Sequence, residues 1–254
     1  MTTLRAWTTL VLLAFRRQLW STSTLMLLFP LAACGLFLVR RRFHLSASPV
    51  EAFQAFSYFL LIVFTAFLVP LCALTYGTAS LAGDREDRTL LFLLVRPLGR
   101  GLILSAKFVA TLPLVLGVTC GSFAVYCRLA GAAGAAAYDA YLPAVVCMSL
   151  CYTALFHLFA VLFRYAATAA LIYAVFMEIL LGNLPGIIKR TAVNFYGRSM
   201  MFEAGVEHGL ATPDPDWFEP LSATDGRNVL LGLTAASLAA AWLIFRGREY
   251  RDVE

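Results

Sequence analysis

Asp84 to Lys107 reads DREDRTLLFLLVRPLGRGLILSAK. It lies between two charge-free apolar runs, Ala52 to Gly83 and Phe108 to Cys127. A passage this polar between two runs long enough to cross a bilayer belongs in water, so it joins two membrane spans. Its first half has a helical pattern. Asp84 stands as an N-cap with Asp87 three residues on, Leu90, Leu93 and Leu94 recur at helical spacing, and Pro97 and Gly99 stop the run. Asp84, Arg85, Glu86, Asp87 and Arg88 would solvate any loop, but the leucine stripe beside them is more than a solvated loop needs. A short helix docking into a groove of a soluble partner uses such a stripe.

Composition extends this reading to the whole chain. Of 254 residues, 61% are hydrophobic and 14% charged, against about 25% charged in soluble domains. The class is an all-α integral membrane protein with room for six spans and no separate soluble domain, a single unit over residues 1–254. A formal net charge of +5 comes from arginines at span ends, where headgroups accept them, and gives no support to nucleic-acid binding. The six cysteines, Cys34, Cys72, Cys120, Cys127, Cys147 and Cys151, all fall in apolar runs and read as small hydrophobes.

Residues 1–20 carry Leu4, Trp7, Val11, Ala14 and Phe15 at helical spacing, with Arg5, Arg16 and Gln18 on other faces, as an interfacial helix does. The expected spans are 21–39, 52–83, 108–127, 142–163, 165–184 and 228–245. Pro70 is expected to kink the second. Arg128 and the run GAAGAAAYDAY read as a loop, Arg164 marks a tight hairpin, and 185–227 is an outer loop. The first half of that loop is amphipathic, and its second half, TPDPDWFEP, is irregular. With the N-terminus inside, twelve of the 20 basic residues fall on the cytoplasmic side. These are Arg5, Arg16, Arg17, Arg85, Arg88, Arg96, Arg100, Lys107, Arg164, Arg246, Arg248 and Arg251, and they favour both termini in the cytoplasm. Arg40, Arg41 and Arg42 then fall on the outer side, against the rule.

No G-x-x-x-x-G-K-[ST] occurs, so nucleotide energy would have to arrive from another chain. Two ionisable groups sit inside spans, His157 and Glu178. A hairpin turning near residue 165 sets residue 154 opposite residue 178, which brings His157 within a helical turn of Glu178. The pair reads first as a polar contact between helices and second as a proton- or substrate-responsive site. Cys147, Cys151 and His157 share a helix, yet a metal would need further ligands, and packing accounts for all three without one.

The order of the central stretch, an acidic start, then Thr89, Leu90, Leu93, Leu94, Pro97, Arg100 and Lys107, resembles the first cytoplasmic loop of permease subunits of the type-2 ABC exporter family. It departs from that pattern at Arg88, where glycine is common, and at Leu91, where an acid is common. The resemblance implies an elbow helix before the first span and a coupling helix over 84–97 that docks on an ATP-hydrolysing subunit. The docking residues would be Asp84, Arg85, Glu86, Asp87, Arg88, Thr89, Leu90, Leu93, Leu94, Pro97 and Arg100. It implies two ATPase copies, a second permease copy or a sister permease, and location in the plasma (inner) membrane. ATP and Mg would be bound by the ATPase, and this chain would carry no cofactor or catalytic residue of its own. The alternative is a membrane assembly or scaffold protein with no transport cycle.

Overall fold

The computed structural model describes residues 3–42, 48–86, 99–184, 186–213 and 218–247. It is 90% helical, with no strand among the described residues. Helix α1 is Thr3–Leu19, α2 Thr22–Arg42, α3 Pro49–Phe59, α4 Val69–Glu86, α5 Arg100–Ala130 and α6 Ala132–Leu162. After these come α7 Ala166–Tyr173, α8 Val193–Val206 and α9 Ala223–Gly247. Six helical stretches are long and apolar enough to cross a membrane: Thr22–Arg40, Pro49–Arg85, Arg100–Ala130, Ala132–Leu162, Ala166–Asn183 and Ala223–Gly247.

These six correspond one to one with the apolar runs of the sequence, but three have different ends. The run GAAGAAAYDAY is helix, not loop: α6 begins at Ala132, directly after Gly131, whose φ of 69° turns the chain back. Alanine is the strongest helix former, so this run needs only a neighbour to pack on. The neighbour is α5, so close that a Cβ on Gly134 would lie 1.8 Å from the Cys127 carbonyl oxygen. Helix α5 likewise starts at Arg100, eight residues before the expected span, and α9 at Ala223 instead of 228. At 1.5 Å per residue, the 31 residues of α5 and of α6 each reach about 46 Å, well past a hydrocarbon core of about 30 Å.

The second span is one continuous helical rod over Pro49–Arg85. Ser48 caps it, its hydroxyl accepting from the Glu51 amide, and Pro49 stands at the first turn where its missing N–H costs nothing. Between α3 and α4 the winding widens to a π-helix over Leu60–Leu68, and the Val69 amide donates five residues back to Phe64. Pro70 follows at once. The irregularity expected from that proline is therefore a run of widened turns preceding it, which rehouses carbonyls the ring cannot serve.

Helix α6 is the axis of the bundle, packed against α3, α4, α5, α8 and α9. The most apolar window of α6 is 61% buried, against 17% for α2, so α2 leaves Leu25, Met26 and Phe29 facing outward as lipid-exposed side chains do. Helix α8, in the amphipathic half of the expected outer loop, does not lie on the surface. Val193, Phe195, Met200, Met201 and Phe202 are buried, and the helix is wedged between α6 and α9.

Candidate coupling site

Asp84 falls in the last turn of α4, where the negative end of the helix dipole opposes a carboxylate. It is held there by two cations from other helices. Arg17 Nη1, from the end of α1, donates to Oδ1 at 2.6 Å, and Lys107 Nζ, from the second turn of α5, meets Oδ2 at 2.5 Å. The side chains of Asp84 and Lys107 are 3% and 6% exposed, and that of Arg17 is 48% exposed. The two pairs therefore differ in kind. The Arg17 contact is half solvated and contributes of order 1 kcal/mol or less. The Lys107 contact is buried, and loss of one partner strands the other charge, which costs about 3–5 kcal/mol.

Around this junction the same end of the bundle is tied by further polar contacts. Gln18 Nε2 donates to the Thr111 hydroxyl at 3.1 Å, and that hydroxyl donates to the Lys107 carbonyl at 2.9 Å. Trp7 Nε1 donates to Ser105 at 3.1 Å. The Arg85 guanidinium reaches the carbonyls of Phe163 at 2.9 Å and Val161 at 3.2 Å, serving the final acceptors of α6 that have no partner within the helix. Arg100 Nη1 donates to the Arg246 carbonyl at the end of α9. The end of α1, the exit of the chain at Glu86, its return at Arg100, the Arg164 hairpin and the end of α9 thus gather at one face.

Three sequence expectations are corrected here. Asp84 is not the N-cap of a water-exposed helix: α4 runs through it, and its carboxylate is turned inward, presenting no docking surface. Lys107 does not mark the water boundary but is buried a full two turns into α5. Gln18, placed by the sequence away from the apolar face of the first helix, is buried with Ala14 against α5. Asp87, Arg88, Thr89, Leu90, Leu93, Leu94 and Pro97 lie outside the described residues, as does the side chain of Glu86. Arg17, Ser105 and Thr111 escaped the sequence reading because their partners lie 67 to 98 residues away. The one local signal was an acid placed against the dipole of a long apolar helix.

His157 and Glu178 do not pair. His157 Nδ1 lies 2.9 Å from the Ser80 hydroxyl of α4, and its ring meets Phe108 edge-on. The Glu178 carboxylate accepts from the amides of Val193 at 3.1 Å and Asn194 at 2.9 Å, capping the start of α8. The phenols of Tyr152 and Tyr173 stand beside it, and the Tyr152 hydroxyl closes no hydrogen bond of good geometry. Tyr152, not His157, is the α6 residue that faces Glu178, and five residues turn the helix by about 140°. Glu178 also lies in a π-helical segment, Ala174–Leu180, whose wider turns move it off simple hairpin register.

One turn further along α8, Arg198 donates to Asn183 Oδ1 at 2.9 Å with its guanidinium 5.0 Å from the Phe218 ring. Burial there pushes the guanidinium below its ordinary value. All six cysteines are free thiols, and no three His, Cys, Asp or Glu side chains converge among the described residues.

Six helices long and apolar enough to cross a membrane, an amphipathic first helix docked on the third of them, and charged helix ends gathered at one face define a multi-pass helical membrane protein. The family model described as ABC-2 family transporter protein matches residues 13–249, and the chain belongs to that family. It is a transmembrane component of an ABC transporter, the membrane subunit of a family that works with an ABC ATPase. Among curated proteins, none matches the chain.

Proposed function

We propose that this chain is one permease domain, spanning residues 1–254, of an ATP-driven exporter in the plasma (inner) membrane. Two ABC ATPase subunits bind the coupling stretch, ATP and Mg reside on those subunits, and a second permease copy or a sister permease completes the pathway. Both termini are cytoplasmic. Nucleotide-driven closure of the ATPases pushes the stretch between α4 and α5 and rocks the two spans that bear it.

The observation that carries this reading is the Arg17–Asp84–Lys107 junction. It ties both arms of the connecting stretch to each other and to α1, so a push on that stretch would move three helices together instead of straining one loop. A scaffold without a transport cycle has no need of that linkage. Affinity purification of the full chain from its native membrane tests the proposal. The reading requires an ABC ATPase to co-purify and its ATP hydrolysis to change when the permease is reconstituted in bilayers. A complex without any nucleotide-binding subunit supports the scaffold alternative.

A further inference from the structure

Arg85 stands one residue before α4 ends at Glu86, at the entry to the connecting stretch. The family resemblance counts it among the residues that dock on the ATPase. Its guanidinium is turned elsewhere. Nη1 donates to the Phe163 carbonyl at 2.9 Å, Nη2 donates to the Val161 carbonyl at 3.2 Å, and Nε is sealed from solvent. Helix α6 ends at Leu162 and α7 begins at Ala166, so three residues join them and a hold on Phe163 is a hold on both.

Helix α4 also packs along α6 and α7. Packed helix faces can slide past one another by about 1–2 Å, so packing alone does not make them move together. A planar fork bonded to two carbonyls of one helix end resists that sliding, because any shift breaks the alignment of both bonds. What reaches the end of α6 reaches far. Met148 and Tyr141 of α6 lie against Gly197 and Gly205 of α8, about 20–30 Å along the same rod from Leu162. On the other arm of the connecting stretch, Arg100 donates to the Arg246 carbonyl of α9, a branch of its own.

We infer that Arg85 is a positioning residue that carries the push of the ATPase from the connecting stretch to α6 and α7, and that it is no part of the docking surface. The inference rests on the ATPase coupling proposed above. It separates two tasks that the resemblance assigns to one run of residues: docking falls to the leucine stripe, and transmission to the guanidinium that precedes it.

The test takes the full permease in bilayers with the ABC ATPase that co-purifies from its native membrane. Backbone hydrogen exchange is compared without nucleotide and after trapping with ATP, Mg and vanadate. In the unaltered complex, trapping should change exchange in residues 160–169 and in 240–247. Arg85→Gln should hold the ATPase in a pull-down, keep the change at 240–247 and lose that at 160–169. Arg85→Lys, whose ammonium serves one carbonyl at a time, should keep about half of the change at 160–169. A purely structural cap would raise exchange at 160–169 equally in both nucleotide states and leave their difference intact, which would overturn the inference. Release of the ATPase by Arg85→Gln, where the unaltered chain holds it, would overturn it too, by making Arg85 a docking residue. An unaltered chain that binds no ATPase overturns the proposed function, and this inference with it. Should Arg85→Gln fail to fold, Arg85→Lys decides: an undiminished change at 160–169 refutes the role.

Discussion

The carboxylate of Asp84 takes the guanidinium of Arg17 at 2.6 Å across 67 residues of chain, with the buried Lys107 ammonium on its other oxygen. This junction fixes where the first helix meets the two arms of the connecting stretch. Because Lys107 is nearly inaccessible, Asp84→Asn should destabilise the protein by about 3 kcal/mol or more, mostly by stranding that charge. Asp84→Asn with Lys107→Met should recover much of the loss, since no buried charge is then left without its partner. Thermal unfolding of the detergent-solubilised chain measures both. If the single variant melts with the unaltered protein, the pair is not structural.

Glu178 holds the start of α8 through two backbone amides, one to each carboxylate oxygen. Glu178→Gln keeps one acceptor and turns an NH2 toward the other amide, so one buried donor loses its partner at a cost of about 1–3 kcal/mol. Faster hydrogen exchange at the amides of Val193 and Asn194 is the expected signature. His157→Ala, acting on a different face of α6, should leave those amides as protected as before. Unchanged exchange in Glu178→Gln would show that the cap carries no weight.

Gly134 and Gly117 make a matched pair of tests on packing. A methyl at Gly134 would meet the Cys127 backbone, which cannot swing aside, whereas one at Gly117 meets nothing within 4 Å. Gly134→Ala should therefore cost at least about 3 kcal/mol or disrupt the α5–α6 hairpin. Gly117→Ala should be neutral or gain up to about 1 kcal/mol from helix propensity. Comparison of melting temperatures in one detergent decides it, and equal behaviour of the two variants would contradict the close approach.

Much of this architecture is written in local sequence, because a span announces itself by an unbroken apolar run such as Ser21 to Val39. Span ends are less legible. Alanine and glycine in GAAGAAAYDAY suit loop and helix equally until α5 supplies a surface, and Lys107 signals water unless a carboxylate waits inside. The site was legible as a place and not as a set of contacts. Asp84 was singled out for its charge, but its partners come from helices remote in sequence. Glu178 was recognised as an expensive group needing a partner, and its partners are backbone amides, which no residue type reveals.

The proposed orientation, with both termini in the cytoplasm, rests on the basic residues, and the ends of α1, α4, α6 and α9 gathered at one face bring Arg17, Arg85, Arg100, Arg164 and Arg246 to the same side. A single cysteine replacing Asp216, in a background where the six native cysteines are serine or alanine, should react with an impermeant thiol reagent added outside intact cells. Labelling of that cysteine only from the cytosolic side would invert the topology.

The central claim is that the stretch between α4 and α5 is where an ATPase docks. Its leucine stripe would be buried in the partner, and a charge there would be desolvated, so Leu93→Asp should cost about 2 kcal/mol or more of binding. The most direct measurement is a quantitative pull-down of the ATPase on the full permease, unaltered and as Leu93→Asp, with membrane insertion checked in parallel. The account requires the variant to insert normally, to lose at least about 90% of the ATPase at concentrations near the dissociation constant, and to lose ATP-dependent transport. Retention of the ATPase by Leu93→Asp as complete as by the unaltered chain would contradict it.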